Sequence, residues 1–487
     1  MNKNIPKEIL YIVETLHNAS FEAYLIGGCV RDLLREKKPK DWDITTNAKP
    51  EEIEGLFEDT FYENNYGTVG VVNKEVEDDT LKIVEVTPYR IEGKYIDGRR
   101  PEEVRFSDNL EDDLKRRDFA MNAIAYNPAE EKIVDLYSGQ EDIKNKIIKT
   151  VGEPSERFDE DYLRMMRAVR LATELGFEID EDTKKAISKH ADNLPTISLE
   201  RIRDEFVKII ISKEPMKGML KLHELGLLKH IAPETEEGID IEQSRSHIYT
   251  VWEHCLRALQ HSADRNYKLE VRLGALLHDV AKPATRRFDK TKKLFTFYGH
   301  EVVGERMTKK LMERLRFSRE QTDTVVKLVR NHQFFTDIDK ITLSATRRIV
   351  RNVGPENVWN LMELRTCDRI GMGRPVEEPY RLRKYESMIE EAMRAPVSVG
   401  MLKIDGIQVS EIAGGAGPRV GWILHTLLED VLDDPKLNTE EYLNKRAKEF
   451  SKLSDKELKE LGEKGKEKKE EEEEKELKEI RKKYKVK

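Results

Sequence analysis

One stretch constrains this chain more than any other. An apolar run stops at two glycines, restarts as a helix, and is followed by alternating carboxylates: AYLIGGCVRDLL, then DWDITT. Gly27 and Gly28 end a short strand, and Val30–Leu34 begins a helix. Lacking a Cβ, the glycines let backbone approach a ligand closely, and a helix start offers free N–H groups to phosphate. Asp41 and Asp43 follow. In a strand, alternate side chains share a face, so the two carboxylates converge while Trp42 points away. Paired hard oxygen ligands suit Mg2+, which bridges a triphosphate to protein. Glu85, in IVEVT, would add a third carboxylate from a neighbouring strand. By itself the aspartate pair also fits a solvated strand end or a helix cap.

The surrounding runs AYLIGG, DWDITT, GTVGVV and LKIVEVTPYR are β-rich and separated by turns or helical stretches, which predicts a small α/β domain with a mixed sheet. Next comes LKRRDFAMNAIAY, in which Arg116, Arg117, Asp118 and Asn122 are close together. Arginines clamp phosphates, and Asp and Asn bind ribose hydroxyls. The same residues would also serve as an exposed basic helix start with ion pairs. In RFDEDYLRMMRAVRLA, the spacing puts Glu160, Asp161 and Arg164 on the polar side of an apolar helix, with Asp161 and Arg164 on one face. Such a pair either stabilises the helix or reads a base. Cytosine and adenine present an amino donor beside a ring-nitrogen acceptor, which a carboxylate and a guanidinium complement. Uracil and guanine reverse that order.

Residues 155–235 read as helical, with Ser198 as a helix cap. Residues 245–370 read as helical and rich in histidine: His254, the adjacent His278 and Asp279, His300, His332, and then Asp368. Imidazole and carboxylate ligands suit a divalent transition metal, although a single helical histidine is ordinarily a packing residue. Residues 400–450 hold the turn AGGAGPRVG and another amphipathic helix. From Ser451 the composition collapses toward Lys and Glu, as in KGKEKKEEEEEKELKEIRKKYK, a segment expected not to bury enough apolar area to pack.

With 487 residues, about three domains are expected. Lys+Arg number 86 and Asp+Glu 94, a net charge of −8, which excludes a simple basic nucleic-acid glove but not a local basic groove. Basic runs occur at RRFDKTKK, ATRRIVR and RLRKYE, each of which also fits a solvated helix face. No stretch approaches the ~20 apolar residues of a membrane span, so no membrane partner is expected. The start, MNKNIPKEILYIVETLHNAS, reads as an amphipathic helix rather than a signal peptide, and the expected location is cytoplasmic. Cys29, Cys255 and Cys367 are too few and too scattered for a disulfide framework or a CxxC site.

Taken in order, GGCVRD, DWD, DGRRPEEV, RRDFAMNA and EDYLR resemble the class II CCA-adding enzymes of the tRNA nucleotidyltransferase and poly(A) polymerase family. The likeness covers residues 20–235 and resumes at DGIQVSEIAGGAGPRVGWILHTLLEDV. It implies an α+β chain: a polymerase-β-like nucleotidyltransferase head with a mixed sheet, followed by all-helical neck, HD and tail domains. The expected divisions are head 1–150, neck 151–240, HD 241–375, body and tail 376–450, and a solvated tail 451–487. Asp41 and Asp43 would be catalytic metal carboxylates. Gly27, Gly28 and Arg31 would hold the triphosphate; Arg117, Asp118 and Asn122 the sugar and phosphates; and Glu160, Asp161 and Arg164 the base. Thr87–Pro101 resembles the loop that helps switch between C and A addition.

The order of histidines and aspartates resembles the HD phosphohydrolases. His254, His278, Asp279 and Asp368 match the core ligands, and His300 and His332 match the extra histidines of two-metal members. Lys282 would contact phosphate. Ni2+, Co2+ or Mn2+ would serve here, and Mg2+ in the head. The implied activity is template-independent addition of CCA to tRNA from CTP and ATP, with possible phosphohydrolysis in the HD domain. The alternatives are an A-only or CC-only enzyme, a poly(A) polymerase, an HD nucleotide hydrolase with an inactive head, or a non-catalytic RNA-binding protein. The HD substrate stays open among a 2′,3′-cyclic phosphate, a 2′-nucleotide and a damaged tRNA 3′ end.

Overall fold

A computed structural model describes the chain except residues 63–66, 75, 93–94, 97–99, 102–103, 244–247, 334–342, 394–398, 434, 462–481 and 486–487. It divides into two units. The first is Met1–Arg330 with Cys367–Gly373, and the second is Asn331–Thr366 with Arg374–Lys487.

The first unit opens with a seven-stranded mixed sheet. Its strands are β1 (Ala23–Ile26), β2 (Asp43–Thr46), β3 (Thr60–Tyr62), β4 (Val69–Val72), β5 (Ile83–Pro88), β6 (Ile124–Asn127) and β7 (Lys132–Asp135). Their order is β7-β6-β1-β2-β5-β4-β3. Only β2 and β5 run parallel, and that pairing sets Asp43 opposite Glu85. Helix α1 (Lys7–Asn18) buries Ile9, Ile12, Val13 and Leu16 in the same core as Leu25, Ile44 and Val84. That spacing is one face of a 3.6-residue repeat. Gly27 stands between β1 and α2 (Gly28–Leu34) at φ 77°, a left-handed conformation that glycine adopts without steric cost.

Helices follow: α3 (Leu110–Lys115), α4 (Pro154–Glu160), α5 (Leu163–Leu175) and α6 (Leu199–Ile211). One continuous core runs from Phe119 through Met166, Phe206 and Leu259 to Val329, with no gap at residues 150 or 240. Full burial of a side chain such as Phe206 contributes on the order of 2–3 kcal/mol. Ser198 precedes α6 as expected, but its hydroxyl makes no capping bond.

Two short β pairings interrupt the regions read as helical. Ile147–Ile148 pairs with Glu178–Ile179, and Arg287–Asp289 pairs with Leu294–Thr296. The second corrects the reading of RRFDKTKK as a helix face: Asp289 caps a tight turn, accepting from the N–H groups of Thr291 and Lys292.

The second unit is helical. Ile404, Val409, Ile423, Leu427, Leu443 and Phe450 share a separate core. In the glycine-rich turn, Gly414 ends the helix Gly406–Ala413 at φ 83°, and Asp405 caps its start. The expected solvated tail starts too early at Ser451: Leu458 is buried in that same core and Leu453 packs against it, because these leucines still supply an apolar face. Most of the rest of the Lys/Glu segment, part of the loop Thr87–Pro101 and the side chains of Arg347 and Arg348 lie outside the described residues. Among the described residues no helix is long and apolar enough to cross a membrane.

Candidate active site and metal centre

Asp41 and Asp43 meet at the glycine pair. Strand β2 begins at Asp43, so Asp41 stands before it on an exposed bend rather than within the strand. A Cβ built on Gly27 would lie 3.3 Å from Asp43 Oδ2 and 3.2 Å from Arg117 Nη1. One built on Gly28 would lie 3.6 Å from both Asp41 Oδ1 and Arg31 Nη2. Two carboxylates and two guanidiniums therefore close on backbone that carries no side chain. Glu85 is exposed, one strand over from Asp43.

Each arginine is held from behind. Arg31 forms a fork on Asp32, Nε to Oδ1 at 3.0 Å and Nη2 to Oδ2 at 3.1 Å, and donates from Nη1 to Asn122 Oδ1 at 3.0 Å. Arg117 Nη2 donates to buried Asp113 Oδ2 at 3.1 Å, and Arg116 Nε donates to Asp113 Oδ1 at 2.9 Å. Burial opposes the Asp113 charge, but Arg117 and Arg116 outweigh it and hold the carboxyl below its usual range. Arg116 caps the end of α3, so the RRD stretch closes a helix instead of starting one.

Asp118 is buried. Its Oδ1 accepts from the Phe119 N–H at 2.9 Å and from Asn122 Nδ2 at 3.3 Å, and its Oδ2 accepts from Arg167 Nε at 2.8 Å. Burial disfavours this carboxylate, yet Arg167 and Arg164 keep it well below the ordinary range.

The Glu160–Asp161–Arg164 group is not one helix face. Helix α4 ends at Glu160, Asp161 is extended at φ −150°, and α5 starts at Leu163. Asp161 Oδ1 accepts from the Leu163 N–H at 3.0 Å, and its Oδ2 pairs with Arg201 at 2.6 Å. Arg164 pairs with Glu160 instead, and also donates to the carbonyls of Arg157 at 3.2 Å and Arg116 at 3.0 Å. The last bond ties α5 to the RRD segment.

The second constellation is fully internal. The helix Leu269–Leu277 is apolar nearly throughout and ends at His278. His254 Nε2 lies 2.9 Å from His278 Nε2, 3.1 Å from Asp279 Oδ2 and 3.3 Å from Asp368 Oδ1. His278 donates from Nδ1 to the Ala275 carbonyl at 2.9 Å, which turns Nε2 toward the cluster. His300 Nε2 is 3.3 Å from Asp279 Oδ1, and its Nδ1 donates to the Phe297 carbonyl at 2.7 Å. Lys282 Nζ bonds Asp279 Oδ2 and Gln243 Oε1, both at 2.6 Å. His254, His278 and Asp279 lie close enough to hold one cation. Burial works against the protonated form of His278, but Asp279 and Asp368 outweigh it and raise its pKa to about 10. Two imidazole nitrogens so close, facing carboxylates, form a donor set suited to a borderline divalent cation. His332 is buried in the second unit, just past the helix Arg319–Asn331.

Comparison with known proteins matches both constellations. Residues 23–149 match the Poly A polymerase head domain, residues 176–239 the probable RNA and SrmB-binding site of polymerase A, and residues 251–384 the HD domain. The CCA-adding enzyme of Lactobacillus helveticus is 48% identical over 199 residues, 41% of this chain and 48% of that one. That of Geobacillus sp. is 45% identical over 226 residues, 46% of this chain and 54% of that one. The chain thus spans about half the length of the curated relatives it matches. The Bacillus stearothermophilus CCA-adding enzyme, solved in complex with CTP, aligns with a TM-score of 0.62 and 28% identity over 91% of this chain and 96% of that one. The chain resembles the CCA-adding enzymes.

Within this CCA-adding-enzyme fold, the structure brings in residues that the motifs did not single out. Asp32 and Asp113 orient Arg31 and Arg117, Arg167 neutralises Asp118, and Arg201 engages Asp161. Arg167 lies one turn after Arg164, a spacing that could have suggested it. Arg201 lies 40 residues from Asp161, and no local pattern pairs them.

Proposed function

We propose that this chain adds CCA to the 3′ end of tRNA, using CTP and ATP and no template. The observation that carries the reading is the closure of Asp41, Asp43, Arg31 and Arg117 on Gly27–Gly28. The capture of CTP by the Bacillus stearothermophilus relative supports it.

Asp41 and Asp43 are hard oxygen donors beside a cradle that a Cβ would fill, which fits Mg2+. Bound there, the ion would lower the pKa of the attacking 3′-hydroxyl and neutralise phosphate charge. The rest of the task is positioning, and it falls to the chain's own side chains. Arg31, Arg117 and the Gly27–Gly28 backbone hold the triphosphate, and Asp118 and Asn122 hold the sugar. Asp161 accepts from the amino group of cytosine or adenine. Arg164 has three of its five N–H groups on Glu160 and two carbonyls, so it is held still, and its two remaining donors are left to serve a ring nitrogen. UTP and GTP would set donor against donor and leave buried groups unpaired.

The proposed division is head 1–150, neck 151–240, HD 241–375 and body with tail 376–450. In the HD part, His254, His278, Asp279 and Asp368 would hold a divalent transition metal such as Mn2+, Ni2+ or Co2+, which supplies a water nucleophile for phosphoester hydrolysis. His300 sits against Asp279, Lys282 steadies that carboxylate, and His332 is assigned by the resemblance.

Stepwise extension tests the reading. A tRNA ending in N or NC should accept labelled C and refuse A, and one ending in NCC should accept A alone. Repeated A on every end would instead identify a poly(A) polymerase.

A further inference from the structure

The segment from Lys282 to His300 leaves the buried cluster, forms the hairpin Arg287–Asp289 and Leu294–Thr296, and returns to it. Both roots are fixed there: Lys282 bonds Asp279 at 2.6 Å, and the Phe297 carbonyl holds His300 at 2.7 Å. The Lys282 ammonium also lies 5.7 Å from the centre of the Phe297 ring.

The hairpin is locally basic and carries exposed aromatic rings. Arg286, Arg287, Lys290, Lys292 and Lys293 stand against the single carboxylate of Asp289, in a chain of net charge −8. Two large rings face solvent, Phe288 at 55% exposure and Tyr298 at 74%. Phe295 is already covered: Arg286 lies 3.7 Å over its ring, and Phe288 meets it edge-on at 5.4 Å. Lys292 donates to the Tyr298 hydroxyl at 2.8 Å, which brings a cation to an exposed ring. Exposed rings interleaved with cations are the chemistry of single-stranded nucleic-acid binding, with bases stacking on the rings and phosphates pairing with the cations. An acidic peptide would use the cations and leave both rings idle.

We propose that this hairpin binds the unpaired 3′ end of a nucleic acid and presents its terminal phosphate to the His254–His278–Asp279 cluster. The inference rests on the phosphoester reading of that cluster and names the substrate class for it. A nucleotide seated on Phe288 or Tyr298 would have its phosphates among Lys290, Lys292 and Lys293, in the turn that joins two strands rooted at the cluster.

The test uses the full chain, EDTA, and a short single-stranded RNA carrying a 5′ fluorophore and a 3′-phosphate. Fluorescence anisotropy should show the double variant Phe288→Ser, Tyr298→Ser binding about ten-fold or more weakly, and Lys290→Glu with Lys293→Glu flattening the salt dependence. A photoreactive 3′-terminal base should cross-link within Arg286–Tyr298. CCA extension of tRNA by the aromatic double variant should match wild type. Unchanged affinity, cross-links lying wholly elsewhere, or equally tight binding of a blunt duplex would overturn the inference. Manganese content after Mn2+ loading separates the two levels. Wild type that retains no Mn2+ overturns the cluster reading and with it the delivery, whereas retained Mn2+ with undiminished RNA binding by the variants overturns the hairpin's role alone.

Discussion

Arg164 donates to the backbone carbonyl of Arg116 at 3.0 Å, across 48 residues of sequence. This bond joins the segment proposed to hold sugar and phosphates to the group proposed to read the base. Arg164→Lys removes the planar fork that serves Glu160 and two carbonyls at once. Roughly a hundred-fold loss in kcat/KM for CTP is expected, with a larger share of UTP misincorporated, as measured by single-nucleotide extension.

Arg201 acts on Asp161 through a 2.6 Å ion pair. Arg201→Ala should raise KM for both nucleotides about ten-fold and leave kcat closer to wild type, with Arg201→Lys recovering part of the loss. Equal KM values for wild type and Arg201→Ala would remove it from base positioning.

Gly27→Ala tests the cradle. The new Cβ meets Arg117 Nη1 and Asp43 Oδ2 at 3.2 and 3.3 Å, and the backbone is held at φ 77°. A stability loss of about 1–2 kcal/mol is expected in urea unfolding, together with a fall in triphosphate affinity. Gly176, also at positive φ but with open space around it, should show the strain cost without the affinity loss when changed to Ala.

The head site was largely legible in the sequence because its groups are carried by short local motifs: Gly27–Gly28, Asp41 with Asp43, and the RRD run. The strand-to-helix switch at Gly27 needed no tertiary information. Asp161 was misread because spacing alone cannot show that a helix breaks. Its extended backbone puts it between α4 and α5, and its partner comes from α6. The supports of the arginines were invisible for the same reason: Asp113 is acidic, in a run of acids, and only packing reveals that it is buried. The hairpin after Lys282 was missed because its lysines suggested a solvated helix, whereas Asp289 fixes a turn.

Metal binding at the HD cluster should depend on pH. In the metal-free protein, His278 holds its proton more tightly than in the unfolded chain, with a pKa of about 10 against an unfolded value of ~6.5. Its contribution to stability is therefore complete below pH ~6.5 and is lost as pH rises toward about 10. A cation must displace that proton, so the rise in Tm on adding Mn2+ should be larger at pH 8.5 than at pH ~6.5, read by differential scanning calorimetry. His278→Ala should abolish the metal-induced shift at both values.

The most direct measurement is 3′-end sequencing of a tRNA lacking its last three nucleotides, after incubation with CTP, ATP, Mg2+ and either wild type or Asp43→Ala. The account predicts CCA on the wild-type products. It also predicts a loss of roughly a thousand-fold or more in the variant, whose Tm should stay near wild type because the carboxylate is only half-buried. Unextended ends with wild type, or the same CCA ends with a folded Asp43→Ala protein, would contradict it.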